Sequence, residues 1–113
     1  LSSLEDGSYL FRTVKPQYYP IPVDGPVGDL LKKLDRHPYR PAHIHFMVKA
    51  EGFKDLVTHV FIDGDKYLES DTVFAVKNSL IRQLEEGFDD DNNQKCYHLN
   101  FDIVMEKIWK ELY

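Results

Sequence analysis

The sequence predicts one mainly β domain, an antiparallel β-sandwich with short helices. Aromatic residues, which favour half-buried pleated surfaces, make up 13% of the 113 residues. Two runs of β-branched and aromatic residues without breakers, at 42–48 and 55–62, are typical of strands. The segment 15–28 contains four prolines, which lack an amide donor, so it is neither a helix nor a central strand.

Local patterns assign the elements of the amino-terminal half. Alternating side chains predict a first strand over residues 8–14. The segment 15–28 is predicted to be irregular but ordered, because it carries two tyrosines and an isoleucine among its prolines. Apolar spacing and a proline in the first turn predict a short helix over 26–34. A second proline-containing loop, 35–41, leads into the strand at 42–48.

Turn signals and apolar spacing also assign the elements of the carboxy-terminal half. The Glu51-Gly52 turn signal separates the two best strands. The elements predicted after it, in chain order, are a strand over 55–62, an ambiguous segment over 66–76, a helix over 76–86, an acidic loop over 89–94, a strand over 97–105 and a helix or tail over 107–113.

Charge and composition exclude several classes of function. The formal net charge is −5 and there is no basic cluster, which argues against a nucleic-acid partner. A single cysteine, Cys96, excludes an internal disulfide. No apolar run approaches the length of a membrane span and the first residues do not resemble a signal peptide, so we expect a cytoplasmic protein without a membrane span.

The best strand carries a pair of histidines. His43 and His45 are two residues apart, so both side chains leave the same face of the strand and could share one metal ion. Imidazole suits iron, zinc, copper and nickel alike, and two polar residues on a solvated face would give the same pattern. Tyr18 and Tyr19 either pack in the proline-rich segment or supply a phenolate, which only a strongly Lewis-acidic cation such as Fe(III) makes favourable at neutral pH.

A series of longer motifs points to one family. In chain order these are Asp6-Gly7-Ser8-Tyr9-Leu10-Phe11-Arg12-Thr13, Tyr19-Pro20-Ile21-Pro22, Asp24-Gly25-Pro26-Val27-Gly28, Arg36-His37-Pro38, Arg40-Pro41-Ala42-His43-Ile44-His45-Phe46, Leu56-Val57-Thr58-His59-Val60-Phe61, Gly64-Asp65, Tyr67-Leu68 and Ser70-Asp71-Thr72-Val73-Phe74. Over about residues 5–82 the sequence resembles the intradiol ring-cleavage dioxygenases, and within them the catechol and hydroxyquinol 1,2-dioxygenase branch.

The resemblance implies a non-haem Fe(III) cofactor. It assigns Tyr19, His43 and His45 as metal ligands. It also assigns Arg40 and Tyr19 as catalytic residues: Arg40 lies over the bound substrate, and Tyr19 accepts a substrate proton on leaving the metal. The family's other tyrosinate ligand lies upstream of the Asp6-Gly7 motif and has no counterpart in the sequence.

That missing ligand bears on the domain organisation. We expect residues 1–113 to be the carboxy-terminal part of a catalytic β-sandwich domain that is incomplete at its amino end, and the full-length protein to be a homodimer. We expect this part alone to be inactive and poorly soluble. The alternative is a non-catalytic β-sandwich fragment that keeps the pattern without the upstream tyrosine.

The resemblance also implies the substrates, a small aromatic diol and O2. Ile21, Pro22, Val73 and Arg40 match substrate-binding positions, and Ile21-Pro22 is more similar to the hydroxyquinol branch than to the catechol branch. We therefore expect hydroxyquinol first and catechol second, with a muconate- or maleylacetate-type diacid as product. His59 stands where many catechol enzymes have a glutamine, so it either assists beside the metal ligands or is a strand histidine with a satisfied partner.

A third interpretation needs no resemblance to dioxygenases. A cupin-like barrel can also carry a His-x-His metal pair, but it needs further acidic and histidine ligands downstream. Only His98 is available for that purpose. The sequence thus supports three interpretations of function, in decreasing order of support: an Fe(III) dioxygenase, a non-catalytic fragment and a different metal enzyme.

Overall fold

The computed structural model describes residues 1–109 and confirms a mainly β fold with little helix. Its elements in chain order are β1 (Tyr19–Pro20), α1 (Pro26–Lys33), β2 (Tyr39–Arg40), β3 (His43–Val48), β4 (Leu56–Ile62), a 3₁₀ turn (Asn78–Leu80), β5 (Ile81–Arg82), β6 (Glu85–Phe88) and β7 (Lys95–His98). None of the helices among these residues is long and apolar enough to cross a membrane.

The strands form three small sheets. β1 pairs with β2 antiparallel, placing Tyr19 opposite Arg40. β3 and β4 form the longest ladder, also antiparallel, and β5 joins the far edge of β4. That last pairing is parallel and sets Phe61 opposite Ile81, so one pair departs from the predicted antiparallel arrangement. β6 and β7 form a separate antiparallel hairpin.

The helix α1 agrees with the predicted span to within one residue. Gly25 is its N-cap and a proline follows in the first turn, where a missing amide hydrogen costs nothing. Asp29 in the first turn, and two lysines in the last, complement the helix dipole. Gly28 is buried against the backbone of Val23, and a Cβ built there would lie 2.0 Å from the Val23 carbonyl oxygen.

The buried core centres on the end of β4. Val60, Phe61 and Ile62 of β4 are all buried, together with Ala42 before β3 and Leu31 of α1. This anchoring fixes the ends of β3 and β4 nearest to β1 and β2.

One face of β3 is covered by aromatic side chains. Tyr9 and Phe11 lie with ring centroids 6.4 and 6.2 Å from that of Phe46, and Phe101 approaches to 5.4 Å. The Tyr9 hydroxyl also donates a hydrogen bond to the Phe101 carbonyl oxygen. Since side chains alternate along a strand, His43 and His45 lie on the opposite face.

Two predicted elements of this part of the chain differ in the structure. The segment 8–14 packs on Phe46 as expected of a strand, but it forms no strand pairing with the rest of residues 1–109. The helix predicted over 76–86 is wrong: the 3₁₀ turn, β5 and the start of β6 occupy it, because pairing with β4 takes the backbone groups of Ile81 and Arg82.

The carboxy-terminal predictions are also shifted. The strand predicted over 97–105 is observed only at Lys95–His98, where it pairs with β6. The ambiguous segment 66–76 contains turns and no helix or strand. Of the segment predicted as helix or tail, Lys107 bridges to Phe53, while residues 110–113 lie outside the described part of the chain.

The chain as a whole is flat. Its radius of gyration is 18.0 Å and its extents are 55 × 52 × 24 Å. A compact domain of this length has a radius of gyration of about 13 Å. The sheets are therefore spread beside one another over a broad surface.

Candidate metal centre

Three imidazoles meet on the uncovered face of the β3–β4 ladder. The register places His45 opposite His59 and His43 opposite Phe61. The ring centroid of His59 lies 4.5 Å from that of His45 and 5.1 Å from that of His43. Strand alternation predicts that His43 and His45 are neighbours, and the register between β3 and β4 adds His59.

A backbone hydrogen bond orients the His43 ring. Its Nδ1 lies 2.8 Å from the carbonyl oxygen of Pro41, which can only accept, so Nδ1 carries the proton and donates it. The other ring nitrogen, Nε2, then has its lone pair available for a metal. An outer hydrogen bond of this kind commonly fixes the tautomer and direction of a metal-binding histidine.

The protonation states also suit metal binding. Burial lowers the pKa of His43, an effect that outweighs its hydrogen bond to Pro41, and the positive charge of Arg40 acts in the same direction. Burial, and then the neighbouring imidazoles of His43 and His45, lower the pKa of His59. Both rings are therefore neutral at pH 7, the form in which imidazole binds a metal.

Tyr19 reaches the same opening from the β1–β2 pair. Its ring centroid lies 5.6 Å from that of His43, and its side chain is 45% exposed. Tyr19 is paired with Arg40, so the β1–β2 pair places the residue with the guanidinium opposite the residue whose phenol lies near His43. The structure thus places Tyr19 near His43, with Arg40 on the strand paired with Tyr19, and the roles of these residues as metal ligands and catalytic groups stay predictions.

The donor set fits a ferric ion only if the phenol takes part. Within residues 1–109, no group of three or more His, Cys, Asp and Glu side chains is arranged to hold a metal ion. The three imidazoles alone are thus not a metal site. The imidazoles of His43 and His45 and the phenol oxygen of Tyr19 together are a mixed nitrogen and oxygen set that suits Fe(III).

Arg40 is held by a carboxylate that sequence reasoning missed. Only 9% of Arg40 and 3% of Asp71 are exposed, and Arg40 Nε lies 3.2 Å from Asp71 Oδ1. The two residues are far apart in sequence, and no local pattern distinguishes Asp71 from the other acidic residues. The matched Ser70-Asp71-Thr72-Val73-Phe74 motif was the only signal that could have pointed to it.

The predicted substrate-binding residues lie beside β1 and on the turn after Asp71, and they differ in exposure. Ile21 continues the β1–β2 contact, because its amide donates to the Pro38 carbonyl at 3.0 Å, while Pro22 is exposed. Val73 lies on the turn after Asp71 and is 45% exposed. Their position is compatible with a pocket wall, and their contact with a substrate stays a prediction.

Other candidate positions lie elsewhere. His98 belongs to the β6–β7 hairpin, with Nε2 3.6 Å from the Cys96 sulfur, so it does not complete a site with His43 and His45. His37 contacts Ser70 at 2.9 Å.

A surface cleft of about 620 Å³ is lined by Ile44 and Phe46 and so opens on the opposite, aromatic face of β3.

A mainly β chain that gathers a phenol, imidazoles and a guanidinium at one opening is a candidate metal-dependent enzyme. A family model described as Dioxygenase (Dioxygenase_C) matches residues 3–107. The 6-chlorohydroxyquinol 1,2-dioxygenase of Cupriavidus pinatubonensis is 55% identical over 105 residues, which are 93% of this chain and 36% of that protein. The chain therefore belongs to the intradiol ring-cleavage dioxygenases.

Solved structures of that family share the fold. The hydroxyquinol 1,2-dioxygenase of Pseudomonas putida matches with a TM-score of 0.75 and 44% identity, over 83% of this chain and 35% of that one. The catechol 1,2-dioxygenase of an Acinetobacter species matches with a TM-score of 0.85 and 33% identity, over 93% of this chain and 36% of that one. The chain thus spans about a third of the length of the relatives it matches.

Proposed function

We propose that the protein containing these residues cleaves the ring of a small aromatic diol with O2, in the intradiol manner, at a non-haem Fe(III) centre. The observation that carries the proposal is the convergence of Tyr19, His43 and His45 on one opening beside Arg40. Membership of the intradiol family supports it, because the named relatives are 1,2-dioxygenases.

In this proposal the chain supplies three metal ligands. His43 would bind through Nε2, since its Nδ1 is engaged by Pro41, and His45 and Tyr19 would bind beside it. A fourth ligand, a second phenolate, would come from a part of the protein outside residues 1–113. The bound ferric ion would supply Lewis acidity and a template that brings the diol and O2 together.

The remaining steps belong to side chains of this chain. The phenolate oxygen of Tyr19 would accept the proton of one diol hydroxyl as the substrate binds. The guanidinium of Arg40, permanently charged and held in a nearly dry position, would stabilise negative charge on the substrate ring. His59, neutral and beside His45, would offer a ring nitrogen for hydrogen bonding next to the ligands.

The favoured substrate is hydroxyquinol, with catechol second. Ile21, Pro22 and Val73, together with Arg40, are proposed to line the pocket. The chain is 44% identical to the matched hydroxyquinol enzyme and 33% identical to the matched catechol enzyme, which supports that order. The product would be a diacid of the maleylacetate or muconate type.

The domain assignment is part of the same proposal. Residues 1–113 would form the carboxy-terminal part of the catalytic β-sandwich, and the whole protein would be a homodimer. Among residues 1–109, His45, Met47 and Val57 on the face that carries the histidines are exposed, so further walls of the substrate pocket would come from the rest of the protein.

The test is metal analysis and oxygen uptake on the full-length protein. We expect about one iron per chain, a red colour from phenolate-to-iron charge transfer, and oxygen uptake that is faster with hydroxyquinol than with catechol. The matched variant Tyr19→Phe, which removes only the phenol oxygen, should lose colour and activity together. A preparation that contains zinc or no metal, or that consumes no oxygen with either diol, would contradict the proposal and favour a non-catalytic role.

A further inference from the structure

Asp71 is a buried carboxylate whose four contacts join two parts of the candidate site. Its Oδ1 accepts hydrogen bonds from Arg40 Nε at 3.2 Å and from the Val73 amide at 3.3 Å. Its Oδ2 accepts from the Ala75 amide at 3.0 Å and from an Arg40 terminal nitrogen, Nη2, at 3.5 Å. One carboxylate therefore binds both the guanidinium of Arg40 and the turn that carries Val73.

This pairing restricts the orientation of the guanidinium. Asp71 engages the edge of the fork formed by Nε and Nη2, and both residues are almost fully buried. Two contacts to one planar group fix its rotation as well as its position, which a single contact does not. Arg40 is thereby presented in one orientation beside His43.

The turn after Asp71 is fixed to β2 as well. The Thr72 amide donates to the Tyr39 carbonyl at 3.3 Å, and the Arg36 side chain donates to the Asp71 carbonyl at 3.3 Å. Phe74 adopts a positive φ of 56°, with the Arg36 guanidinium 4.1 Å from its ring centroid. The turn is thus built around the carboxylate and docked on the strand that carries Arg40.

We propose that Asp71 is a positioning residue. It holds the guanidinium of Arg40 and the turn that carries Val73 in the relative position that an aromatic diol requires. The inference rests on the proposed function of the site. Asp71 touches neither substrate nor metal and acts through its two partners.

The ionisation of Asp71 is consistent with this role. Burial alone would raise the pKa of the carboxyl, but hydrogen bonds from Arg40 and from the Ala75 and Val73 amides outweigh it and hold the pKa below its usual value. The carboxylate is therefore charged at neutral pH and keeps its pairing with Arg40.

The experiment is a double-mutant cycle in the full-length iron-loaded protein, with the variants Asp71→Asn, Arg40→Gln and both together. Asp71→Asn is expected to lower kcat by about ten- to a hundredfold, because small misplacement of a catalytic group costs that order of rate. In the Arg40→Gln background, the same change is expected to lower kcat by less than about twofold, since the group it positions is already gone.

Asp89→Asn is the matched control. Asp89 also pairs with an arginine, Arg12 at 2.6 Å, and also accepts a backbone amide, from Asp91 at 3.1 Å, but in the loop beside the β6–β7 hairpin. It is expected to leave kcat unchanged. Iron content, and the dissociation constant of a non-reacting diol analogue measured from the charge-transfer band, separate misplacement of Arg40 from loss of the metal.

The outcomes separate the two proposals. A wild-type protein without ring cleavage overturns the proposed function and this role with it. With an active wild type, the role of Asp71 alone is overturned if Asp71→Asn keeps full kcat, or lowers kcat by the same factor in both backgrounds, or loses iron. If Asp71→Asn does not fold, Asp71→Glu, which keeps the charge but displaces the carboxylate, takes its place in the same cycle: a loss of kcat confined to the background with Arg40 supports the role, and an unchanged kcat or an equal loss in both backgrounds overturns it.

Discussion

At the scale of single residues, the positive charge of Arg40 is expected to interact with two groups, the substrate and Asp71. It is expected to face the substrate, and in the structure it also neutralises Asp71 in a position nearly closed to water. Removing one member of such a pair leaves the other charge buried and unpaired, which costs more than the pair itself contributes. Catalysis and folding stability are therefore coupled at this position.

We expect Arg40→Ala in the full-length protein to slow turnover by about a hundred- to a thousandfold. It should also lower the free energy of unfolding by about 3 kcal/mol, because Asp71 loses its charged partner. The buried ion pair with Asp71 thus gives Arg40 an expected role in folding stability beside its predicted role at the substrate.

Calorimetry and oxygen uptake on the same preparations check this. Arg12→Ala is the control, because it breaks an arginine–aspartate pair whose arginine is 67% exposed and should change the melting temperature little. An Arg40→Ala protein that melts at the wild-type temperature would show that Asp71 finds another partner.

The site shows where sequence reasoning reached its limit. Strand alternation predicts that His43 and His45 share one face, and the resemblance to the family assigns Tyr19 as a ligand beside them. Asp71 has no such signal, because its contacts depend on the packing of a turn against β2, and sequence spacing carries no information about that packing. The approach of His59 to His45 likewise depends on the register between β3 and β4.

At the scale of elements, the best predictions were those where local pattern and tertiary packing agree. α1, β3 and β4 appear within one residue of their predicted spans. The segment 76–86 fails because its apolar spacing is equally compatible with a chain that pairs beside β4, and pairing in a sheet overrides a weak helical preference.

In helix α1, the packing of Gly28 against Val23 is expected to outweigh the higher helix propensity of alanine. Gly28→Ala in the middle of a helix would ordinarily stabilise it by up to about 1 kcal/mol. Here the new Cβ would meet the Val23 carbonyl oxygen at 2.0 Å, so we expect a loss of about 1–3 kcal/mol in the free energy of unfolding instead.

Denaturant unfolding of the full-length protein measures it. Gly25→Ala, at the N-cap with no atom within 4 Å of its Cβ position, is the control and should cost about 1 kcal/mol or less. A Gly28→Ala protein more stable than wild type would mean that α1 moves away from Val23 at no cost.

At the scale of the whole molecule, the chain exposes more surface than a folded domain of its mass. Its accessible surface is 9445 Å², whereas a compact monomer of 13.3 kDa has roughly 6,500 Å². Many large hydrophobic side chains contribute, among them Met47 and Val57 on the histidine face and Phe88 on β6. The excess exceeds what a standard protein interface buries.

We therefore expect residues 1–113, produced without the rest of the protein, to self-associate and to show no ring-cleaving activity. Apolar faces and unpaired strand edges of this extent promote association. Size-exclusion chromatography with light scattering and oxygen uptake on the same sample check both statements. The full-length protein is the control, and a monodisperse, active preparation of these residues alone would contradict the expectation.

The register between β3 and β4 also limits how the connecting turn can vary in length among related genes. His45 faces His59 because Val48 pairs with Leu56 across a turn of fixed length. A slip of one residue would bring Thr58 or Val60 to that position and send the imidazole to the aromatic side of the sheet. Insertions and deletions between these two strands are thus compatible with the centre only where the added or lost residues leave the pairing as it is.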